Sequence, residues 1–158
     1  MATGLVVGIG AAADPVAATA WCPRSPGFWK QARKWPARVE DNGGCPGSVI
    51  CNLAGESLTK DEVIAYLNTP PRGDKTVIMA FQLLAAKLNY LAGNPNQSAC
   101  IKPTLDAANE WLLKAGGFGS GQHSWSVNGV DGEALKDRLD DYNNLRLPNC
   151  GCVSGGSS

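Results

Sequence analysis

The residues able to do chemistry in this chain are few and scattered. His123 is the one histidine, in "GSGQHSW", and with Ser120, Ser124 and Ser126 beside it the residue types of a Ser-His-Asp relay are present. No G-x-S-x-G elbow accompanies them, so His123 reads first as an exposed loop residue and only second as the base of a small extracellular hydrolase. Asp137, Asp140 and Asp141 are the types a glycosidase pairs, yet three acids on one short helix read as a solvated face. Asp131-Gly132-Glu133 lacks the spacing of an EF-hand loop. Cys150-Gly151-Cys152 would hold a soft metal only as thiolates. The residues thus point to no catalytic site, no cofactor and no metal.

Binding chemistry is better represented. "SPGFWKQARKWP", residues 25–36, sets Phe28, Trp29 and Trp35 among Lys30, Arg33 and Lys34, with Arg24 before and Arg38 after, and no acid until Glu40. On a helix opening at Pro26, Phe28, Ala32 and Trp35 share one face and pack inward. Trp29, Lys30, Arg33 and Lys34 are then left as candidate partner contacts. Residues 131–141 are the acidic counterpart, carrying Asp131, Glu133, Asp137, Asp140 and Asp141 against Lys136 and Arg138. Opposite charge at the two ends of the chain suits head-to-tail contact between copies, a homo-oligomer or extracellular assembly. A polysaccharide-binding module stacking sugars on Trp29 and Trp125 is the alternative. The 14 basic and 14 acidic residues sum to zero formal charge, so no overall field draws the chain to nucleic acid.

These residues need a frame. With 158 residues, 44% of them hydrophobic, the chain has enough material for one modest core. The expected fold is all-α, a compact disulfide-stabilised domain of about five helices with long irregular loops. Ser25 and Pro26 start a helix that ends near Trp35-Pro36. Residues 41–57 read as irregular. Thr59 and Glu62 form a capping box, with Leu58 and Val63 as a staple, for a helix from residue 60 to about 67 that stops before Pro70-Pro71. Asp74 caps the longest helix, about 75–92, closed by Gly93. Its Val77, Ile78, Phe81, Leu84, Ala85, Leu88 and Leu91 form one broad apolar face. Arg72-Gly73-Asp74 spells an adhesion tripeptide, but its local role is a turn leading into that cap. A helix from Pro103 to about Ala115 follows, then a Gly- and Ser-rich loop, then a helix from Asp131 to about Asn143 with Leu135, Leu139 and Tyr142 facing inward. No strand is expected.

Residues 1–20 hold a short apolar run and end in Ala18-Thr19-Ala20, the pattern of a signal peptide or N-terminal extension, and the run is too short to span a membrane. Residues 21–152 form the helical domain and 153–158 a flexible tail. Cys22, Cys45, Cys51, Cys100, Cys150 and Cys152 are an even set in a Gly- and Pro-rich chain, which suits disulfides and an extracellular or cell-surface location. Sequence alone leaves 15 pairings open.

Several segments together resemble a helical module of secreted bacterial and archaeal proteins. They are "SPGFWK" with its following "WP", "LNTPPRGDKTVIMAFQLLAAKLNYLAGN", the Trp-bearing "AANEWL", "LKDRLDDYNN" and a terminal Cys. Members of that family carry G-Y-W-K-x-H, T-P-P-R-G-[DN] and L-D-D-Y-N-N-G motifs and have no established activity. The resemblance runs from Cys22 to Cys150 and implies a secreted helical fold. Family histidines fall here at Gln31 or Ala32, at Phe81 and at Asn149, so a site built on them is lost, and Phe81 implies packing. The expected pairing is Cys45 with Cys51, Cys22 with Cys150 and Cys100 with Cys152. The first reading is a secreted, non-enzymatic structural or interaction module.

Overall fold

The computed structural model describes residues 21–40, 45–93 and 95–152; the expected signal peptide over 1–20 and tail over 153–158 lie outside the described residues. In chain order come α1 (Pro26–Trp29), a 3-10 turn (Ala32–Lys34), α2 (Ala37–Glu40), β1 (Ile50–Leu53), β2 (Glu56–Leu58), α3 (Lys60–Leu67) and α4 (Lys75–Ala92). There follow α5 (Pro95–Ser98), a 3-10 turn (Ala99–Ile101), α6 (Lys102–Lys114), β3 (Ser126–Val127), β4 (Val130–Asp131) and α7 (Gly132–Asn143). No helix among the described residues is long and apolar enough to cross a membrane.

Local chemistry places the longer helices where the sequence puts them. Thr59 Oγ1 accepts from Glu62 N at 3.2 Å while Glu62 Oε1 accepts from Thr59 N at 2.8 Å, so two otherwise unpaired amides of α3 are satisfied reciprocally. Asp74 accepts from Thr76 N at 3.0 Å and Asp131 from Glu133 N at 2.9 Å, starting α4 and α7 in the same way. Pro103 stands at the second position of α6, where its missing N–H costs no helical bond.

α4 is the hub: α1, α2, β1, α3, α6 and α7 all pack on it. It is therefore buried on more than the one expected face. Val77, Leu84, Ala85 and Leu88 are covered, but so are Met79, Ala80, Leu83, Ala86 and Asn89, whereas Ile78, Phe81 and Leu91 are only half-buried. Covering each of its buried leucines, Leu83, Leu84 and Leu88, contributes about 1.5–3 kcal/mol. Phe81 packs against this core, as expected.

Three expectations are corrected. First, the fold is mostly helical but not all-α. β1 and β2 pair antiparallel with Ile50 opposite Leu58 and Leu53 opposite Glu56, within the stretch expected to be irregular, and β3 and β4 pair with Val127 opposite Val130. Each hairpin turns on two left-handed residues, Ala54-Gly55 (φ 51° and 92°) and Asn128-Gly129 (φ 52° and 78°), a twist that matches the flanking strands.

Second, residues 25–35 are not one helix. Ser25 makes no side-chain cap bond, and extended Gln31 separates the single turn of α1 from the 3-10 turn. The Phe28, Ala32, Trp35 face is thereby broken: Trp35 is buried, Phe28 half-buried and Ala32 exposed. Tertiary hydrogen bonds from the indoles, described below, outweigh the local helical periodicity.

Third, the tail cysteines exchange partners. The disulfides are Cys45–Cys51, as expected, with Cys22–Cys152 and Cys100–Cys150. Gly151 accounts for the exchange. Its N–H donates to Gln97 O at 2.7 Å, beside Cys100, which fixes buried Cys150 there and leaves Cys152 to reach Cys22. Gly151 has φ +95°, and a Cβ on it would overlap Pro23 and Tyr142, so only glycine makes this turn. The Cys22–Cys152 bridge spans 130 residues of sequence, for which the chain-entropy treatment gives about 5 kcal/mol.

Candidate functional site

The aromatic and basic segment is held by one buried side chain, Asn89 on α4. Its Oδ1 accepts from Trp29 Nε1 at 3.1 Å, Arg24 N at 2.9 Å and Trp21 Nε1 at 3.3 Å. Its Nδ2 donates to Arg24 O at 2.8 Å and to Asn143 Oδ1 at 2.9 Å. Asn143 in turn donates to both oxygens of Gln82, O and Oε1. "SPGFWK", "LLAAKLNYL" and "LDDYNN", far apart in sequence, thus meet in one polar knot. Around it Trp21, Phe28, Trp29 and Trp35 pack mostly edge to face, centroids 5.1–6.0 Å apart. Trp35 Nε1 donates to Trp29 O at 2.9 Å, which turns the chain after α1.

Trp29, expected as a contact residue, is wholly buried and presents no ring to a partner. A buried indole must find an acceptor for its N–H, and Asn89 supplies it. The basic residues behave differently. Lys30, Arg33, Lys34 and Arg38 are all exposed and make no ion pair among the described residues. Buried Trp29, Trp35 and Val39 anchor the chain between them, so these charges stand on a fixed frame. Arg24 lies 4.8 Å from the Phe28 ring centroid, closing one end of the aromatic cluster.

At the other end of the chain the acids are partly occupied. Asp137 pairs with Lys136, and Arg146 bridges Asp140 and Asp141 at 3.1 Å each. Such exposed pairs are worth about 0–1 kcal/mol and exchange readily. Trp125, the other candidate for sugar stacking, is half-buried: Trp111 lies 5.6 Å away, and Lys75 and Lys136 approach its ring at 5.4 and 5.6 Å.

His123 is exposed, and its Nδ1 contacts Gly73 O at 3.3 Å. The neighbouring hydroxyls are engaged elsewhere, Ser120 donating to Ala115 O and Ser124 accepting from Ser126 N. Asp74 organises this loop. Besides capping α4, its carboxylate accepts from Thr76 Oγ1 at 2.6 Å, Gly121 N at 2.9 Å and Gln122 N at 3.2 Å. Partial desolvation opposes ionisation there, but these bonds with Thr76, Gly121 and Gln122 outweigh it and hold the carboxyl below its usual range. The Arg-Gly-Asp spelling thus encodes a turn and a cap. No group of three or more His, Cys, Asp or Glu side chains is arranged to hold a metal among the described residues.

A cleft that the sequence reading misses lies where β1, α4 and the start of α6 meet. It has a volume of about 300 Å³ and is walled by Ile50, Leu91 and Leu105, with Lys87, Tyr90 and Asn52 also facing it. Lys102 and Asp106 line it as an ion pair, with Nζ 2.7 and 2.8 Å from the two carboxylate oxygens. Partial burial pushes the Lys87 ammonium below the usual lysine range; Asp106 opposes that shift and Lys102 adds to it. A signal for this site was present in the sequence: Lys87 is the single charge between Thr76 and Ala92 on the most apolar helix.

Among the described residues the architecture is that of a mostly helical, triply disulfide-bonded domain with two small hairpins. Comparison with protein-family models, with curated proteins and with solved structures gave no match.

Proposed function

We propose that this chain is an extracellular, non-enzymatic interaction module that docks its basic strip onto the acidic α7 face of a second copy, building a head-to-tail assembly. The observation that carries the reading is the strip itself, Lys30, Arg33, Lys34 and Arg38, four exposed cations that make no ion pair among the described residues, on a frame anchored by buried tryptophans. α7 supplies the complement in Glu133, Asp137, Asp140 and Asp141, whose weak surface pairs with Lys136 and Arg146 can be exchanged for intermolecular ones. Three disulfides suit an oxidising compartment outside the cell. The resemblance to a secreted module without established activity points the same way.

Sedimentation velocity of the oxidised protein across salt concentration tests this. The expected result is assembly at low salt that dissolves as ionic strength rises, because contacts between exposed charges are screened over about 10 Å at 0.1 M salt. A monodisperse monomer under every condition sinks the assembly. An anionic polysaccharide that binds that monomer through the same strip would assign the surface to a glycan instead.

A further inference from the structure

We propose that the cleft between β1, α4 and α6 binds a small amphipathic monocarboxylate, its head on Lys87 and its apolar body against Ile50, Leu91 and Leu105. This site is separate from the docking strip and stands whether or not the chain assembles.

Size is the first argument. A volume of about 300 Å³ falls at the lower end of the roughly 300–1,000 Å³ typical of small-molecule sites. Hydrogen-bonding capacity is the second. Lys87 makes no hydrogen bond or ion pair among the described residues, although it is half-buried. Asp106, the acid nearest to it in the cleft, already accepts from Lys102 through both oxygens. Asn52 Oδ1 accepts from Gly55 N and Asn109 Nδ2, which leaves its Nδ2 to donate. The Tyr90 hydroxyl has no partner among the described residues. Donors therefore exceed acceptors, and a partly desolvated cation whose nearest carboxylate is already taken up by Lys102 is costly. Charge is the third argument. With Lys102 and Asp106 cancelling, the cleft carries one net positive charge, which a single carboxylate neutralises, and aliphatic walls on either side favour an apolar body over a second charged group.

Calorimetric titration of the oxidised full chain tests this with three probes: octanoate, octanol and acetate. Octanoate is expected to bind about tenfold or more tightly than octanol, which has the body without the charge, and than acetate, which has the charge without the body. Lys87→Met keeps the stem and removes the charge, and should weaken octanoate about tenfold while leaving octanol unchanged. Lys114→Met, on the exposed side of α6, should change neither. Equal affinity for octanoate and octanol, no octanoate binding, or unaltered octanoate affinity in the folded Lys87→Met protein would overturn the assignment. The comparison of probes on the unmutated chain decides the matter even if the variant folds poorly.

Discussion

Replacing Asn89 with alanine tests the physical core of this account, because one side chain joins the N-terminal segment, α4 and α7. Five hydrogen bonds end on Asn89, three accepted and two donated. Alanine removes all of them and gives nothing in return. Trp29 and Asn143 are essentially unexposed, at 0% and 1%, so the indole N–H and the Asn143 carbonyl would be stranded away from water. Each stranded group costs about 1–3 kcal/mol, and these two alone give about 2–6 kcal/mol. Arg24 and Trp21 lie nearer to solvent and recover part of their loss from water. We therefore expect Asn89→Ala to lower unfolding free energy by about 3–5 kcal/mol, as much as truncating a fully buried leucine. The assay is urea denaturation of the oxidised protein followed by tryptophan fluorescence, with exposed Lys114→Ala as a control expected to stay within about 0.5 kcal/mol of the parent. A loss below about 1 kcal/mol for Asn89→Ala would refute the idea that the polar knot holds the aromatic cluster and hence the frame of the basic strip.

Other outcomes follow from particular contacts. Gly132 opens α7 directly beneath Trp111, and a Cβ there would overlap the indole; Gly132→Ala should cost about 1–3 kcal/mol in the same denaturation assay. Burial pushes the Tyr142 hydroxyl up to about 12 against the opposing hydrogen bond with Ser98. Its folded pKa is raised, so its contribution to stability is complete below the unfolded value of 10.0 and is lost as pH rises towards about 12. Ultraviolet titration should show Tyr142 ionising only with unfolding, and Tyr142→Phe should flatten alkaline denaturation. Asp74 has the opposite sign. Its depressed folded pKa gives stability that is present above the unfolded carboxyl pKa and disappears as pH falls through the folded one. Asp74→Asn should therefore reduce the acid sensitivity of unfolding and speed amide exchange at Gly121 and Gln122.

What is decided locally is legible in the sequence, and what is decided by contact is not. Thr59, Asp74 and Asp131 announce their helices because a cap is a property of four consecutive residues. Leu139 and Tyr142 are found by spacing along α7. The β3–β4 hairpin goes unexpected although Asn128-Gly129 is a strong turn signal, because strands of two residues carry too little alternation to register beside it. Trp29 is of another kind. Nothing within residues 25–36 says that its N–H bonds to a residue 60 positions away, so local periodicity places it outside. Asn89 is likewise unremarkable in sequence, a polar residue in an apolar helix that acquires its partners only when α1 and α7 arrive. The tail pairing fails for the same reason: the choice between Cys150 and Cys152 rests on the Gly151 contact with Gln97. Lys87 was visible as an isolated charge, yet its cleft exists only where three elements meet.

The docking claim is tested most directly by charge exchange between copies. One variant carries K30E, R33E, K34E and R38E, and the other carries E133K, D137K, D140K and D141K. Each alone should be monomeric at low salt, because its strip and its α7 face now repel between copies, and a mixture of the two should assemble by sedimentation velocity with the salt sensitivity of the parent. A mixture that stays monomeric where the parent assembles, or assembly that persists in either variant alone, would contradict the account.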